Sequence, residues 1–141
     1  MYTYRFPRPA LTADVVAIRG EGATCEVLLI ERGHGPFKGQ WALPGGFVDE
    51  YELPEDAARR ELAEETGVVW DGPLALVGVF SKKGRDPRGW TVATAYLART
   101  DGVDVSPVAG DDAAEVQWHR VDALPPMAFD HHEVIAAALG G

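Results

Sequence analysis

The stretch from Gly45 to Val68, with the sequence GGFVDEYELPEDAARRELAEETGV, decides how this chain folds. Its second half predicts a helix over Pro54 to Thr66. Proline suits the first helical position, where its missing N–H costs no hydrogen bond. Gly67 is typical of the position just past a helix end, where the backbone turns left-handed. The stretch therefore predicts a glycine-containing loop that leads into one well-defined helix.

Three glutamates form a stripe on this helix. Glu61, Glu64 and Glu65 are spaced i, i+3 and i+4, so they fall within about 100° of one helix face. Like charges at this spacing repel one another, which is tolerated on a solvated face. The same stripe is useful if it binds a divalent cation, because oxygen ligands suit Mg²⁺. The helix alone leaves both interpretations open.

The residues around the stripe favour the metal interpretation. Gly45 and Gly46 allow the backbone to approach a ligand closely, so a carbonyl of this loop can complete a metal shell. Arg60 precedes Glu61, and its planar guanidinium can orient a carboxylate or a phosphate.

The rest of the chain consists mainly of short apolar, β-branched runs that predict strands. The first two runs are expected to form a hairpin, and Pro44-Gly45-Gly46 is expected to end the third. The predicted strands are Leu11–Arg19, Cys25–Arg32, Trp41–Leu43, Leu74–Phe80, Thr91–Ala98 and Glu115–Val121, and a last helix is predicted at His131–Leu139. The pattern predicts an α/β fold with a mixed sheet between helices, in one domain over residues 1–141.

Composition narrows the class of protein. The chain has 141 residues and a formal net charge of −9. An acidic surface disfavours nonspecific binding to nucleic acid or anionic membranes, and it makes cations important for any phosphate-bearing substrate. No apolar run reaches the length of a membrane span, and the N-terminal residues lack the apolar core of a signal peptide, so we expect a cytoplasmic protein. Cys25 lies in an apolar run and is expected to be a buried structural thiol.

The central stretch resembles a known family motif. It matches the Nudix box at every defined position: Gly46, Glu52, Arg60, Glu61, Leu62, Glu64, Glu65, Gly67 and Val68. The resemblance extends to the approach segment Lys38–Gly46 and to the late strand with Glu115 and Trp118. It covers nearly the whole chain and implies the Nudix fold, a mixed β-sheet sandwiched between α-helices.

The resemblance implies a chemistry as well. Nudix hydrolases cleave a nucleoside diphosphate linked to another group X, with Mg²⁺ as the metal and Mn²⁺ as a substitute. The metal neutralises the diphosphate, stabilises developing charge and activates a water. The implied metal ligands are the Gly45 carbonyl, Glu61, Glu64 and Glu65. Arg60 would hold the carboxylates in place, Glu52 would support the junction of loop and helix, and Gly67 would end the helix.

The general base is left open. The resemblance implies catalytic roles for Glu64, Glu65, Arg60 and Glu115, and a surface carboxylate is the other interpretation of Glu115. Either a box glutamate or Glu115 can be the base, and the loop acids Asp111 and Asp112 are further candidates.

A basic loop, Ser81–Trp90, points to the substrate. It places four basic residues in an acidic chain, which is typical of a solvated hairpin loop or of a loop that recognises phosphate and ribose. Its GRDPRG sequence resembles bacterial Nudix ADP-ribose pyrophosphatases, which implies cleavage of ADP-ribose into AMP and ribose 5-phosphate. Pro87 lies further past the box than the proline of the usual ADP-ribose signature. Substrate contacts are predicted for Trp41, Gly46, Arg85, Asp86 and Arg88.

Two other functions remain open. One is a nucleoside triphosphate pyrophosphohydrolase that removes damaged nucleotides of the 8-oxo-dGTP type. The other is a Nudix module that senses a nucleotide without hydrolysing it, although such regulators usually carry a DNA-binding domain that we do not expect here. The predicted partner is a small-molecule nucleotide, not nucleic acid or membrane, and the resemblance implies a homodimer. His131 and His132 are expected to cap the last helix or to lie at the surface.

Overall fold

The computed structural model describes residues 3–101, 107–110 and 113–140. Within these residues seven strands form one mixed sheet, with two α-helices packed against it. The strands are β1 (Ala10–Arg19), β2 (Glu26–Arg32), β3 (Trp41–Ala42), β4 (Gly45–Phe47), β5 (Ala75–Phe80), β6 (Thr91–Arg99) and β7 (Ala113–Arg120); the helices are α1 (Pro54–Thr66) and α2 (His131–Ala138). The predicted fold class is confirmed.

The sheet is built outward from β1 and β2. β1 pairs with β6 in parallel, β6 pairs with β5 at one edge, and β2 pairs with β7 on its other side. The predicted hairpin of β1 and β2 forms, but its pairing is short: Ile18 faces Val27, and Arg19 faces Glu26. Beyond that point β3 pairs with β2 and β4 pairs with β1. The segment with β3 and β4 therefore lies between the two strands, and the functional site forms beside it.

The third strand, β3, ends before Pro44-Gly45-Gly46 as predicted, but a further strand follows that was not predicted. Gly45 and Gly46 open a further strand, β4, which pairs antiparallel with β1 opposite Asp14 and Ala13. A Cβ atom at Gly45 would overlap the Asp14 carboxylate. Glycine here permits a close approach of two strands rather than a turn.

The two helices cover opposite faces of the sheet. Alternate residues of β1, Ala13 and Val15, belong to the apolar cluster that Leu62 of α1 completes. Val16 and Ile18, whose side chains lie on the other face of the strand, pack with Ile135 of α2. Because side chains of a strand alternate between faces, β1 is buried on both sides, which confirms the layered arrangement. Cys25 also lies in the α2 cluster and is buried, as predicted.

Helix α1 has the predicted bounds. Pro54 begins it, and Gly67 ends it with a φ of 74° and an N–H that donates to the Ala63 carbonyl at 2.9 Å. The helix buries Ala57, Ala58, Leu62 and Thr66. Among the described residues, neither this helix nor α2 is long and apolar enough to span a membrane.

Candidate functional site

A cavity of about 680 Å³ lies beside β4 and α1. Its lining joins the carboxylates of α1, the two loop glycines and two arginines. The lining residues are Thr12, Ile30, Arg32, Gly33, His34, Gly35, Gly45, Gly46, Phe47, Asp49, Glu61, Glu64, Glu65 and Arg88. The glutamate stripe therefore faces a cavity of a size suited to a small molecule.

Arg60 ties the loop before α1 to the stripe. Its guanidinium contacts both carboxylate oxygens of Glu52, from Nε at 2.9 Å and from Nη2 at 3.0 Å. Its Nη1 donates to Glu61 at 2.8 Å and to Glu64 at 3.2 Å, while Nη2 also donates to the Phe47 carbonyl at 3.0 Å. The hydrogen bonds from Arg60 hold the pKa of Glu52 below its ordinary value. One guanidinium thus fixes the directions of three carboxylates.

Glu65 is bound to the backbone of β4. The Gly45 N–H donates to Glu65 Oε1 at 2.9 Å. Because the Val15 N–H donates to the Pro44 carbonyl, the neighbouring pair of Asp14 and Gly45 is a non-hydrogen-bonded pair of the antiparallel ladder. Both polar groups of Gly45 therefore point away from β1. Its N–H meets Glu65, and its carbonyl lies outside the β1 ladder beside the cavity.

The acids of the site are crowded. Desolvation raises the pKa of Glu65 well above its ordinary value; the Gly45 N–H opposes this, and Glu61 and Asp14 add to it. Desolvation also raises the pKa of Asp14 to about 7. Crowded carboxylates retain protons when no cation balances their charge. This donor set fits a divalent cation, although no three such groups within the described ranges are already gathered around one point.

Asp14 was not recognised as a site residue in the sequence. It is 5% exposed, and it lies on β1 against Gly45, within the electrostatic reach of Glu61 and Glu65. The available signal was a carboxylate in the middle of an apolar strand, since aspartate is rarely buried without a specific partner.

Gly46 lies against the stripe. A Cβ atom at this position would come within 2.6 Å of the Glu61 carboxylate carbon. The glycine therefore admits the Glu61 side chain to the cavity wall, where both residues lie.

The basic loop divides its two arginines between different environments. The Arg85 side chain is 5% exposed and donates to both carboxylate oxygens of Asp130, at 2.6 and 3.0 Å. It does not line the cavity, contrary to its predicted substrate contact. A buried guanidinium requires a paired acid, and Asp130 at the start of α2 supplies it.

Arg88 does reach the cavity. Its guanidinium lies 5.1 Å from the ring of Phe47 and 5.6 Å from the ring of Phe129. Asp86 is buried and accepts hydrogen bonds from the Arg88 N–H and Nη2, both at 2.8 Å. Asp86, predicted to contact substrate, therefore orients Arg88 instead of lining the cavity.

Arg32 is a second cavity arginine, and the sequence analysis did not single it out. It lies 5.0 Å over the Phe129 ring, and its Nε donates to the Pro36 carbonyl at 2.7 Å. Burial, followed by the charge of Arg88, lowers its pKa. The guanidinium groups of two cavity-lining arginines, Arg32 and Arg88, thus lie over the same Phe129 ring.

The structure changes the predicted positions of one aromatic residue, Trp41, and one histidine, His131. The Trp41 ring is half-buried, lies edge-on to His119 at 4.5 Å and packs beside the α2 cluster, so it does not line the cavity. Phe47 lines the cavity instead and is 43% exposed. His131 is 5% exposed and accepts the Leu43 N–H on Nδ1 at 3.0 Å, so the prediction of a surface position was wrong.

Glu115 lies away from the stripe. It is exposed on β7 and pairs with Glu31. Strand alternation places it on the face opposite Val116 and Trp118, which pack against the α1 cluster. It does not line the cavity. The other base candidates, Asp111 and Asp112, lie outside the described residues.

Comparisons with known proteins agree with this arrangement. A profile described as NUDIX domain matches residues 8–138. The chain is 43% identical over 127 residues to an ADP-ribose pyrophosphatase of Methanocaldococcus jannaschii, which covers 90% of the chain and 71% of that relative. It is 35% identical to the ADPR responsive transcriptional repressor NtrR of Acinetobacter baylyi, across 94% of the chain but only 54% of the repressor.

A solved structure extends the comparison. The NUDIX domain of Shewanella oneidensis NrtR, complexed with ADP ribose, superimposes with a TM-score of 0.85 at 33% identity. The match covers 94% of this chain and 88% of that domain.

Proposed function

The chain belongs to the NUDIX domain family, and on that premise we propose that it is a divalent-cation-dependent pyrophosphohydrolase that cleaves ADP-ribose to AMP and ribose 5-phosphate. The observation that carries the proposal is one cavity lined by both the glutamate stripe and two arginines. Such a cavity offers oxygen ligands for a cation and guanidinium groups for phosphate oxygens. The pyrophosphatase named among the relatives supports ADP-ribose as the substrate.

The metal ligands would be the Gly45 carbonyl, Glu61, Glu64 and Glu65. When bound, Mg²⁺ or Mn²⁺ would neutralise the diphosphate and activate the attacking water. Arg60 donates hydrogen bonds to Glu61 and Glu64, and the Gly45 N–H donates to Glu65. The stripe is therefore oriented by protein donors from two directions, which limits its rearrangement during the reaction.

The arginines would bind the phosphate oxygens that do not face the carboxylates. Asp86 accepts hydrogen bonds from the backbone N–H and from Nη2 of Arg88. These bonds fix the orientation of the guanidinium group at the cavity. Arg32 is partly desolvated beside it, and an anion between the two would relieve their repulsion. Phe47, exposed at the same cavity, offers a ring face for the base.

An ADP-ribose sensor is the second candidate. It is favoured by the repressor among the relatives and by the ADP ribose complex of the similar domain. The chain spans about half of that repressor, so any regulatory activity concerns more than the matched region. The complete glutamate stripe with its arginine supports hydrolysis over sensing alone.

A substrate panel with Mg²⁺, followed by chromatography of the products, tests the proposal. The expected result is AMP from ADP-ribose, formed orders of magnitude more slowly by a Glu65→Gln control. Binding of ADP-ribose without turnover would favour the sensor. Pyrophosphate released from a damaged nucleoside triphosphate, with ADP-ribose untouched, would favour the nucleotide-sanitising enzyme.

The homodimer stays a proposal with one supporting feature. β5 lies at the edge of the described sheet and exposes Leu76 and Val79, at 60% and 59%. An uncharged edge strand offers backbone groups and apolar surface to a second chain. A cytoplasmic location and the expected absence of nucleic-acid and membrane partners stay predictions from the sequence.

A further inference from the structure

A short parallel pairing links β3 to the segment before α2. The Trp41 N–H donates to the Pro126 carbonyl at 3.0 Å, and the Ala128 N–H donates to the Trp41 carbonyl at 2.8 Å. In a regular parallel ladder the next donor, the Leu43 N–H, would meet the Ala128 carbonyl. That rung is absent from the described contacts, because each partner bonds elsewhere.

A histidine side chain replaces the missing rung. The Ala128 carbonyl accepts from the His131 N–H at 3.3 Å, and the Leu43 N–H donates to His131 Nδ1 at 3.0 Å. Phe129 turns the chain between them with a φ of 53°, which is uncommon for a residue with a side chain. The imidazole therefore supplies the acceptor that the turn into α2 removes from the backbone.

The three residues that follow β3 into β4, Leu43 to Gly45, form what we call the connector. Each is fixed by a different element. Its first N–H bonds to His131 of α2, its proline carbonyl accepts from the Val15 N–H of β1 at 2.9 Å, and its last N–H donates to Glu65 of α1 at 2.9 Å. Removing one of these bonds leaves a buried backbone group unsatisfied and loosens the position of the Gly45 carbonyl.

The imidazole is itself held in place. His131 is 5% exposed, and its Nε2 lies 3.8 Å from the Asp14 carboxylate. The residue before it, Asp130, is fixed by two hydrogen bonds from Arg85. Because Nδ1 accepts a hydrogen bond, the ring proton is on Nε2 and faces Asp14. The ring is thus constrained from both sides.

We propose that His131 is a positioning residue for the cation site: it holds the connector so that the Gly45 carbonyl and the Glu65 carboxylate keep the directions that a divalent cation requires. Its side chain does not line the cavity. The inference rests on the proposed function only for the assignment of these two groups as ligands. Outer residues that orient metal ligands typically change metal affinity by about 10–100-fold when replaced.

Two variants of similar polarity separate positioning from general stability. In His131→Asn the side-chain oxygen takes the place of Nδ1, whereas in His131→Gln it extends toward the place of Nε2, near Asp14. The measurement is Mn²⁺ binding followed by electron paramagnetic resonance, without nucleotide, on the full chain. His132→Asn, at an exposed neighbouring position, is the control.

The expected result is near-wild-type Mn²⁺ affinity for His131→Asn and a loss of about tenfold for His131→Gln. Equal affinity of the glutamine variant and the wild type would overturn the proposal, as would equal losses in both variants. A wild-type protein that binds no Mn²⁺ overturns it as well. If ADP-ribose is not hydrolysed but the affinities differ as expected, only the proposed substrate fails.

A measurement on the wild type decides the question if a variant does not fold. Amide hydrogen exchange at Leu43, followed by NMR, should slow several-fold when Mg²⁺ is added, because a bound cation would draw the connector tighter. Unchanged exchange at Leu43, with Mg²⁺ bound, would overturn the positioning role.

Discussion

The Gly45 N–H donates to the Glu65 carboxylate at 2.9 Å, which joins the strand before α1 to the last turn of that helix. Desolvation disfavours the charged form of Glu65 and raises its pKa, and the hydrogen bond from Gly45 partly offsets this. Strand β4 and the glutamate stripe are therefore one unit, and a cation that reaches the cavity would meet both.

Replacing Glu65 with glutamine tests this unit. Glutamine keeps an oxygen for the Gly45 N–H but provides no charge for a cation, so we expect kcat to fall by orders of magnitude at an unchanged melting temperature. Glu55→Gln, an exposed first-turn position of the same helix, is the control. Normal turnover in the Glu65 variant would show that the metal assignment is wrong.

Arg85→Ala should act on stability. Its removal leaves Asp130, whose side chain is 12% exposed, without its bidentate partner. Breaking a buried pair in this way typically costs about 3–5 kcal/mol. Denaturant unfolding measures the loss, and a double variant with Asp130→Ala should recover part of it. If stability is retained while KM for ADP-ribose rises, Arg85 belongs to the substrate site after all.

Arg88→Ala should act on substrate binding. The side chain is 43% exposed and lines the cavity, so its loss should raise KM about tenfold, the equivalent of one charge-assisted hydrogen bond. The melting temperature should fall as well, because the buried Asp86 carboxylate loses the Arg88 guanidinium, so KM is measured at a temperature where both proteins are folded. Lys83→Ala, in the same loop but outside the cavity lining, should leave KM unchanged. An equal rise in KM for both variants would point to general electrostatic attraction.

The buried His131 should make stability depend on pH. Desolvation, followed by the charge of Arg85, lowers its pKa from 6.5 to about 3, while Asp130 opposes the shift. Below pH 6.5 His131 is therefore protonated in the unfolded chain but neutral in the folded chain. This residue lowers the free energy of unfolding as pH falls from 6.5 toward 3.

A comparison with His131→Asn isolates this effect, because Asp14 and the other neighbouring groups titrate in both proteins. We expect the free energy of unfolding of the wild type, relative to the variant, to fall by about 1.4 kcal/mol for each pH unit below 6.5. Urea unfolding at pH 7 and pH 5 measures it. If the stability difference between wild type and variant is the same at pH 7 and pH 5, His131 is protonated at pH 5 in the folded protein as well.

The edge strand predicts the effect of a charge on assembly. If a second copy pairs with β5, Val79→Lys should convert a dimer to a monomer, because a lysine on an edge strand opposes pairing. Light scattering coupled to size-exclusion chromatography measures the mass. Val69→Lys, at a position that is 83% exposed outside the strands, is the control. If the wild type elutes as a monomer, the proposed homodimer is wrong.

The sequence by itself determined the parts of this protein that depend on neighbours along the chain. Helix α1 begins and ends at the predicted residues because Pro54 and Gly67 act locally on the backbone. The glutamates share one face because helical geometry puts residues three and four apart side by side. The layered α/β fold followed from the same local patterns.

Only the tertiary structure decided which distant groups meet. Nothing in the loop sequence distinguishes Arg85 from Arg88, yet Arg85 is buried against Asp130 and Arg88 reaches the cavity. Arg32 and His131 entered the site region through pairings that no short window of sequence contains. The physical reason is that a buried charge or an unmatched backbone N–H is stable only beside its partner, and the fold alone brings that partner close.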